Sequence, residues 1–364
     1  MQETVPVMKP HLSDSPSLKV LGLMSGTSLD GLDLVAAEFR QVQGRYQFTI
    51  LAAETLVYSK EWMHRLATSH ELQAADLVEL DRGYGHFLGK MATQFITSNQ
   101  LVIDLIASHG HTVFHYPAKR FTLQIGHGAA VASETGLPVI SDFRSTDVAM
   151  GGEGAPLVPA GDRLLFDTYP ALLNLGGFAN VSFTSEPEVR AGDICPVNII
   201  LNALSGQLGE AYDPNGAIGR SGKIVAELLE ALNNHPFYLR SFPKSLGREW
   251  CDSEIFPLFN SYQSATADLL RTWYEHAAIQ IAGAIGSVEK VLVTGGGTHN
   301  GFLIERIASH SKSELVIPSA TIINFKEALI FAFLGYLRWY GRNNCLCSVT
   351  GARSDSSAGA LYLP

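Results

Sequence analysis

The sequence predicts an α/β chain of two domains. Three observations carry this: the length, an alternation of strand-like runs with amphipathic helical stretches, and a strand, glycine turn, strand unit that occurs twice. At 364 residues the chain exceeds the usual size of one compact domain. Its 46% hydrophobic and 17% charged residues suit a large core. Thirty-five acids against 26 Lys plus Arg leave a net charge of -9, which offers no basic field to gather nucleic acid or anionic lipid. Neither nucleic acid nor membrane is expected as a partner.

The stretch MQETVPVMKPHLSDSPSL is polar and lacks an apolar targeting core, so residues 1–18 read as a flexible tail. KVLGLMSG, LDLVAAEF and YQFTILAAETLVY then predict three antiparallel strands. Leu77, Leu80, Tyr84, Phe87, Leu88, Met91 and Phe95 recur at three- and four-residue steps and predict an amphipathic helix packed on that sheet. Strands follow in VIDLIASHG and FTLQIG, a helix in AAVASETG and a strand in LPVISDF. The segment RSTDVAMGGEGAPLVPAGD lacks either period and reads as a loop or hinge.

After Tyr169 the rhythm restarts, with ALLNLGGFANVSF as strand, turn, strand, VRAGDICPVN as a strand, then helices, then KVLVTGGG as a strand ending in glycines. The predicted division is residues 19–150 for an N-terminal domain, joined by part of 345–364, and 151–344 for a C-terminal domain. The apolar run from Ala328 to Tyr340 is too short to span a bilayer and predicts a buried helix. Cys195, Cys251, Cys345 and Cys347 show no CxxC spacing, so reduced thiols and a cytoplasmic location are expected.

GLMSGTSLDGLD carries Gly26, Thr27, Ser28, Asp30 and Gly31 on a strand-to-strand turn. Its N–H groups and hydroxyls can meet phosphate oxygens, and Asp30 can face a magnesium ion; the same residues also make ordinary hairpins. No GK[ST] follows, so it is not a Walker loop. A second such turn, NLGGFANVS, with Gly176, Gly177 and Asn180, opens the other half, and a pair of such hairpins can clamp a polyphosphate. Gly295, Gly296 and Gly297 precede a predicted helix and suit close approach of backbone to a nucleotide, or a plain strand-to-helix turn.

His109, His111 and His115 raise the question of a metal, because an H-x-H pair on one strand points to one face; no carboxylate or Cys cluster accompanies them, and a substrate-lining or structural role ranks ahead. Asp193 reads as a strand-end residue before a helix N-cap at Asn198, either a turn residue or a general base. Glu327 reads as a first-turn carboxylate of an apolar helix, a favourable dipole charge or a partner of magnesium.

GLMSGTSLDG, SHGHTVFH, TLQIG, DFRSTD, GGEGAPLVP, NLGGFANVSF, PKSLGRE, VTGGG and SVTGA occur in an order that resembles the anhydro-N-acetylmuramic acid kinases, from Leu21 to the C-terminus. The resemblance implies the two-domain actin-like ATPase (ribonuclease H-like) fold with an interdomain cleft. It implies a cell-wall recycling reaction in which ATP, water and 1,6-anhydro-N-acetylmuramic acid, a small amino sugar, give N-acetylmuramic acid 6-phosphate and ADP, with Mg2+. By position, Gly26, Thr27, Ser28, Leu29, Asp30, Gly31, Leu32 and Asp33 match the family's ATP stretch. Asp193 matches the base that activates water, Arg144 and the His109–His111 segment match substrate-side positions, and Glu327 matches a Glu of the helix near the metal.

The sequence departs from the family pattern at Ile194, Cys195 and Val197, where DTGPGN is common, and at His111, His127 and Asn202, where Gln, Asp and Asp are usual. Asp193, Pro196 and Asn198 remain. The expected mechanism has Asp193 deprotonate a water that attacks C1 while departing O6 takes the phosphoryl group. An ordinary sugar kinase and a nucleotide-dependent binding protein are the rival readings. The oligomeric state stays open, a homodimer included.

Overall fold

The computed structural model describes residues 16–364 apart from 27, 28, 30, 186, 187 and 243. Most of the tail reading, residues 1–15, lies outside the described residues. The strands, in chain order, are β1 (Leu18–Ser25), β2 (Leu32–Val42), β3 (Arg45–Leu56), β4 (Leu105–Ser108), β5 (His111–Tyr116), β6 (Phe121–Ile125), β7 (Val139–Ser141), β8 (Ala171–Leu175), β9 (Phe178–Phe183), β10 (Arg190–Pro196), β11 (Lys290–Thr294), β12 (Glu314–Val316) and β13 (Ala360–Tyr362). The helices that bear on the site are α1 (Ala74–Ser98), α2 (Gly128–Thr135), α3 (Ser145–Ala149), α4 (Val158–Leu165), α5 (Asn198–Gly206), α6 (Thr266–Ile285), α7 (Gly301–His310) and α8 (Ala320–Trp339).

Two sheets repeat one plan. The first runs β13-β7-β4-β1-β2-β3 and the second β10-β9-β8-β11-β12, with β5 and β6 forming a separate hairpin. In each, three consecutive strands pair antiparallel, and the first of them then pairs parallel with a later strand that pairs parallel with another. This doubled order is the arrangement expected of the actin-like fold. The C-terminal β13 pairs antiparallel with β7, so the last residues lie in the first sheet.

Alternation decides what each face of the first sheet meets. Leu21, Leu23, Leu34 and Ala36 face the stripe of Leu80, Tyr84, Leu88, Ala92 and Phe95 on α1. Val20, Met24, Val35, Ala37 and Phe39 face α8 on the other side. Close approach of α8 is set by Gly22, where a Cβ would run into the backbone of Ala328 and sit 3.0 Å from Ala332 Cβ. Truncating a fully buried α8 side chain such as Leu334 removes roughly 2–5 kcal/mol of stability.

The second sheet buries Leu173, Leu175, Val181, Val291 and Val293 against α5, α6 and α7. Its opposite face turns Leu172 and Leu292 into the same cluster as α8. Helix α8 thus packs against both sheets. By length and composition it could cross a membrane, being longer than the run read from the sequence, but two thirds of that window is buried in the core.

The Gly- and Pro-rich segment after Arg144 is not a plain loop, for it contains α3 and α4. Pro159 sits in the first turn of α4, where a missing N–H is harmless, and Gly161 lets that helix press on Ile330 of α8. Glycine and proline there serve helix start and close packing, which composition alone cannot distinguish from a turn.

Candidate active site

Register alone assembles a row of polar side chains on the second sheet. Asp193 on β10 lies opposite Asn180 on β9, Asn180 opposite Asn174 on β8, and Asn174 beside Thr294 on β11. Opposed residues project to one face, here the face that Leu172 and Leu292 turn toward α8. Asp193 lies within the strand at a bulge between Asp193 and Cys195, not at a strand end; such a bulge re-aims the side chain.

The Asp193 N–H donates to Lys244 O at 2.8 Å, and Leu246 N–H donates to its Oδ2 at 2.8 Å. Burial pushes its pKa above the ordinary carboxylate value, and the bond from Leu246 opposes that rise. Beyond it, Val197 occupies the N-cap position of α5, while Asn198 is the first helical residue and donates from Nδ2 to Leu175 O at 3.3 Å. The departures Ile194, Cys195 and Val197 are all buried in the second core, where they fill volume rather than line the site. Burial pushes the Cys195 thiol far up, which leaves it protonated and inert.

The two glycine motifs of the second half meet. A Cβ on Gly295, at φ +86°, would lie 2.5 Å from Asn174 Oδ1, and one on Gly297 would lie 2.9 Å from Leu175 Cβ and its carbonyl oxygen. Gly176 N–H closes its own hairpin on Phe178 O at 3.1 Å, whereas the exposed Gly177 N–H has no backbone acceptor among the described residues. Beside them opens a cavity of about 210 Å³, lined by Asn198, Asn202, Tyr212, Asp213, Gly296 and Asn300 among others. Its wall is rigid. Buried Asp213 accepts from Ile218 N–H, Gly219 N–H and Tyr274 O–H at 2.8, 2.9 and 3.1 Å, and Asn300 Nδ2 donates to Tyr274 at 2.7 Å.

On the side of the first sheet, Arg144 precedes α3 and donates from Nε and Nη2 to His109 Nε2 at 3.1 and 3.0 Å, and from Nη1 to Gly154 O at 2.7 Å. Glu327 stands in the second turn of α8, past the first turn proposed from sequence, because Ser319 already caps that helix. Water reaches its side chain, yet protein fills the rest of its surroundings. That surround raises its pKa, Arg144 and Lys326 oppose the rise, and the charge of Asp33 adds to it. Asp33 itself accepts from Thr55 Oγ1 at 2.5 Å.

The first glycine turn is described at Gly26, Leu29, Gly31, Leu32 and Asp33; Thr27, Ser28 and Asp30 lie outside the described residues, so the phosphate and metal roles expected of them are not placed. Leu29 has φ +60° and donates to Gly26 O at 3.5 Å. Leu32 is core, and Gly31 gives room to β3, since a Cβ there would lie 2.8 Å from Leu56 O.

Just before the turn, Ser25 ends a buried chain. Tyr58 O–H donates to Ser25 Oγ at 2.8 Å, which leaves Tyr84 to donate to Tyr58 at 2.6 Å, and Ser25 Oγ and His111 Nδ1 share a hydrogen bond of 3.1 Å. Burial lowers the pKa of His111 to about 4, which keeps the ring neutral.

His109 and His111 do not share a strand: β4 ends at Ser108, Gly110 turns the chain at φ +75°, and β5 begins at His111 and carries His115 as well. His115 pairs with Thr122 Oγ1 at 3.2 Å. Among the described residues no group of three or more His, Cys, Asp or Glu could hold a metal. His127 caps α2 through Nδ1, a task an aspartate oxygen performs equally, so that departure lies in a helix cap. Asn202 lines the cavity.

Sequence reasoning missed Asp213, Asn215, Tyr274 and Asn300, although the Asp-Pro-Asn-Gly run from Asp213 to Gly216 was a turn signal that could have pointed to them.

Doubled sheets with a polar row, a glycine-lined cavity and an arginine beside a solvent-reached glutamate define an actin-like enzyme. The family model for anhydro-N-acetylmuramic acid kinase matches residues 18–364. The anhydro-N-acetylmuramic acid kinase of Pseudomonas fluorescens is 37% identical over 94% of this chain and 98% of its own, and that of Aliivibrio fischeri 33% identical over 94% and 99%. The chain belongs to the anhydro-N-acetylmuramic acid kinase family, whose members are ATP-dependent sugar kinases. Among solved structures, component A of the Acidaminococcus fermentans (R)-2-hydroxyglutaryl-CoA dehydratase is similar at 11% identity over 88% of this chain and 98% of that one, with a TM-score of 0.45. The strand order, not that loose likeness, carries the fold.

Proposed function

We propose that this kinase opens the 1,6-anhydro bridge of anhydro-N-acetylmuramic acid with water and places the γ-phosphoryl group of ATP on O6, giving N-acetylmuramic acid 6-phosphate and ADP. The observation that carries the reading is Asp193, a half-buried carboxylate fixed by Leu246 N–H, with its pKa raised by burial, in a row of polar side chains. A base so placed takes a proton readily near neutral pH while staying ionised. Asp193 removes a proton from water, the water oxygen bonds to C1, the C1–O6 bond breaks, and the O6 electron pair attacks the γ-phosphorus as ADP leaves. Proton, sugar oxygen and phosphoryl group are all accounted for, and O6 needs no separate acid.

The cavity beside Gly296 suits the nucleoside of ATP, and the hairpins at Gly26 and Gly177 suit its phosphates. Arg144 supplies positive charge on the substrate side. Glu327 and Asp33 fit Mg2+, for their donor set is carboxylate oxygen and Glu327 is open to water; the ion would offset phosphate charge there. The division into residues 19–150 with part of 345–364, and 151–344, remains our proposal, with α8 packed against both sheets. Use of ATP supports a cytoplasmic location.

Incubation with ATP and anhydro-N-acetylmuramic acid, read by mass, tests the reaction. The product should gain one phosphoryl group and one water; a gain of phosphoryl alone would mean an ordinary kinase acting without ring opening.

A further inference from the structure

Arg144 is gripped on three sides, and the grip fixes the state of His109. A guanidinium only donates, so the Nε2 of His109 that meets both Nε and Nη2 must present a lone pair. The ring proton then sits on Nδ1, which lies 2.9 Å from Gly110 O. Both nitrogens are consumed inside the protein, and the residue is only 5% exposed, so no donor or acceptor is left for a sugar. Burial first, and then the charge of Arg144, lower its pKa to about 3, so the ring stays neutral through the working range.

The third hold is built by the C-terminal segment. Arg144 Nη1 donates to Gly154 O, Gly154 N–H donates to Asp147 Oδ2 at 2.8 Å, and Thr350 Oγ1 donates to Asp147 Oδ1 at 2.7 Å. Glu153 N–H also donates to Thr350 O at 2.8 Å. Arg144 cannot turn without breaking one of these holds, and its face lies over Phe331, 5.9 Å from the ring centroid. The N–H groups that remain on Nη1 and Nη2 therefore point in fixed directions.

We infer that His109 is a positioning residue: it makes no contact with the sugar, and as a neutral acceptor it holds the guanidinium of Arg144 in the single orientation used on the substrate side. This rests on the proposed reaction for what Arg144 does, but not for how it is held. It revises the substrate-contact role that the family resemblance implied for His109. A glutamine can replace the acceptor because its carbonyl oxygen has two lone pairs; a leucine leaves two guanidinium donors against hydrocarbon.

Two measurements decide it. Nitrogen-15 spectra of the histidine rings in the unaltered protein should show His109 as the Nδ1–H tautomer, neutral from pH 8 down to about pH 5. His109→Leu should lose roughly a hundredfold in kcat/KM for the sugar while the KM for MgATP stays within about twofold, and His109→Gln should regain most of the loss. An Nε2–H tautomer would overturn the inference even if the Leu variant failed to fold, and so would Gln and Leu variants that lose equally. If the unaltered protein left the anhydro sugar untouched, the proposed reaction would fall, while the ring spectrum would still decide how Arg144 is held.

Discussion

Leu246 donates its backbone N–H to Oδ2 of Asp193 at 2.8 Å, so a segment 53 residues further along the chain fixes the carboxylate proposed as the base. The bond leaves Oδ1 to receive a proton. Asp193→Asn keeps the size and the acceptor for Leu246 but removes basicity, so turnover should fall by about two to four orders of magnitude while calorimetry shows nucleotide still bound. Only the ionised form works, so kcat/KM should decline as pH drops through a pKa lying above the ordinary 3.8. That acid limb should vanish from the residual activity of the Asn variant.

Neighbouring glycines should behave differently. Gly295 has φ +86° and no room for a Cβ, so Gly295→Ala should destabilise the protein by roughly 1–3 kcal/mol. Gly296 lines the cavity with open space where a Cβ would go, so Gly296→Ala should leave stability within about 0.5 kcal/mol and still weaken ATP binding. Thermal melts and nucleotide titrations of both variants check this, and equal effects on stability would contradict it.

Thr350 reaches the site through Asp147 and Gly154. Thr350→Val leaves buried Asp147 Oδ1 short of a donor and should destabilise by roughly 1–3 kcal/mol. It should also lower kcat/KM for the sugar with ATP affinity unchanged, and Thr350→Ser should restore both. Steady-state kinetics with each substrate varied in turn separates the two effects.

Away from the site, Glu275 ties α6 to α7. Burial raises its pKa, but hydrogen bonds from Arg306, His310 and Arg271 outweigh that and hold it at about 2. A depressed carboxylate stabilises the fold fully above its unfolded value near 4.5 and loses that contribution as pH falls through about 2. Melting temperature against pH should therefore fall less steeply over that window in Glu275→Gln. At neutral pH the variant should lose about 3 kcal/mol, because the guanidinium groups of Arg271 and Arg306 keep only a neutral acceptor.

Nearly continuous apolar runs made β1 and β2 legible, because both faces of that sheet are buried, and the three- and four-residue stripe made α1 legible because that helix buries one face. The glycine hairpins were legible too, since few residues make such turns. The helices α3 and α4 were hidden by Gly and Pro that serve packing. One glycine at positive φ separated His109 from His111, and no spacing rule shows where such a bend falls. The cavity escaped notice because Asp213, Tyr274 and Asn300 are far apart in sequence, and only the packing of α6 and α7 on the second sheet brings them together.

The central claim, that one event joins ring opening to phosphoryl transfer, is tested most directly by running the reaction in oxygen-18 water. If water activated by Asp193 attacks C1 and O6 leaves onto the γ-phosphorus, the label must appear on the anomeric oxygen and be absent from the new phosphate ester. The anomeric position exchanges through the open-chain aldehyde, so the product is read promptly and beside finished product held in the same water. Prompt anomeric label above that control, with none in the ester, is the expected result; label in the phosphate ester would contradict the account.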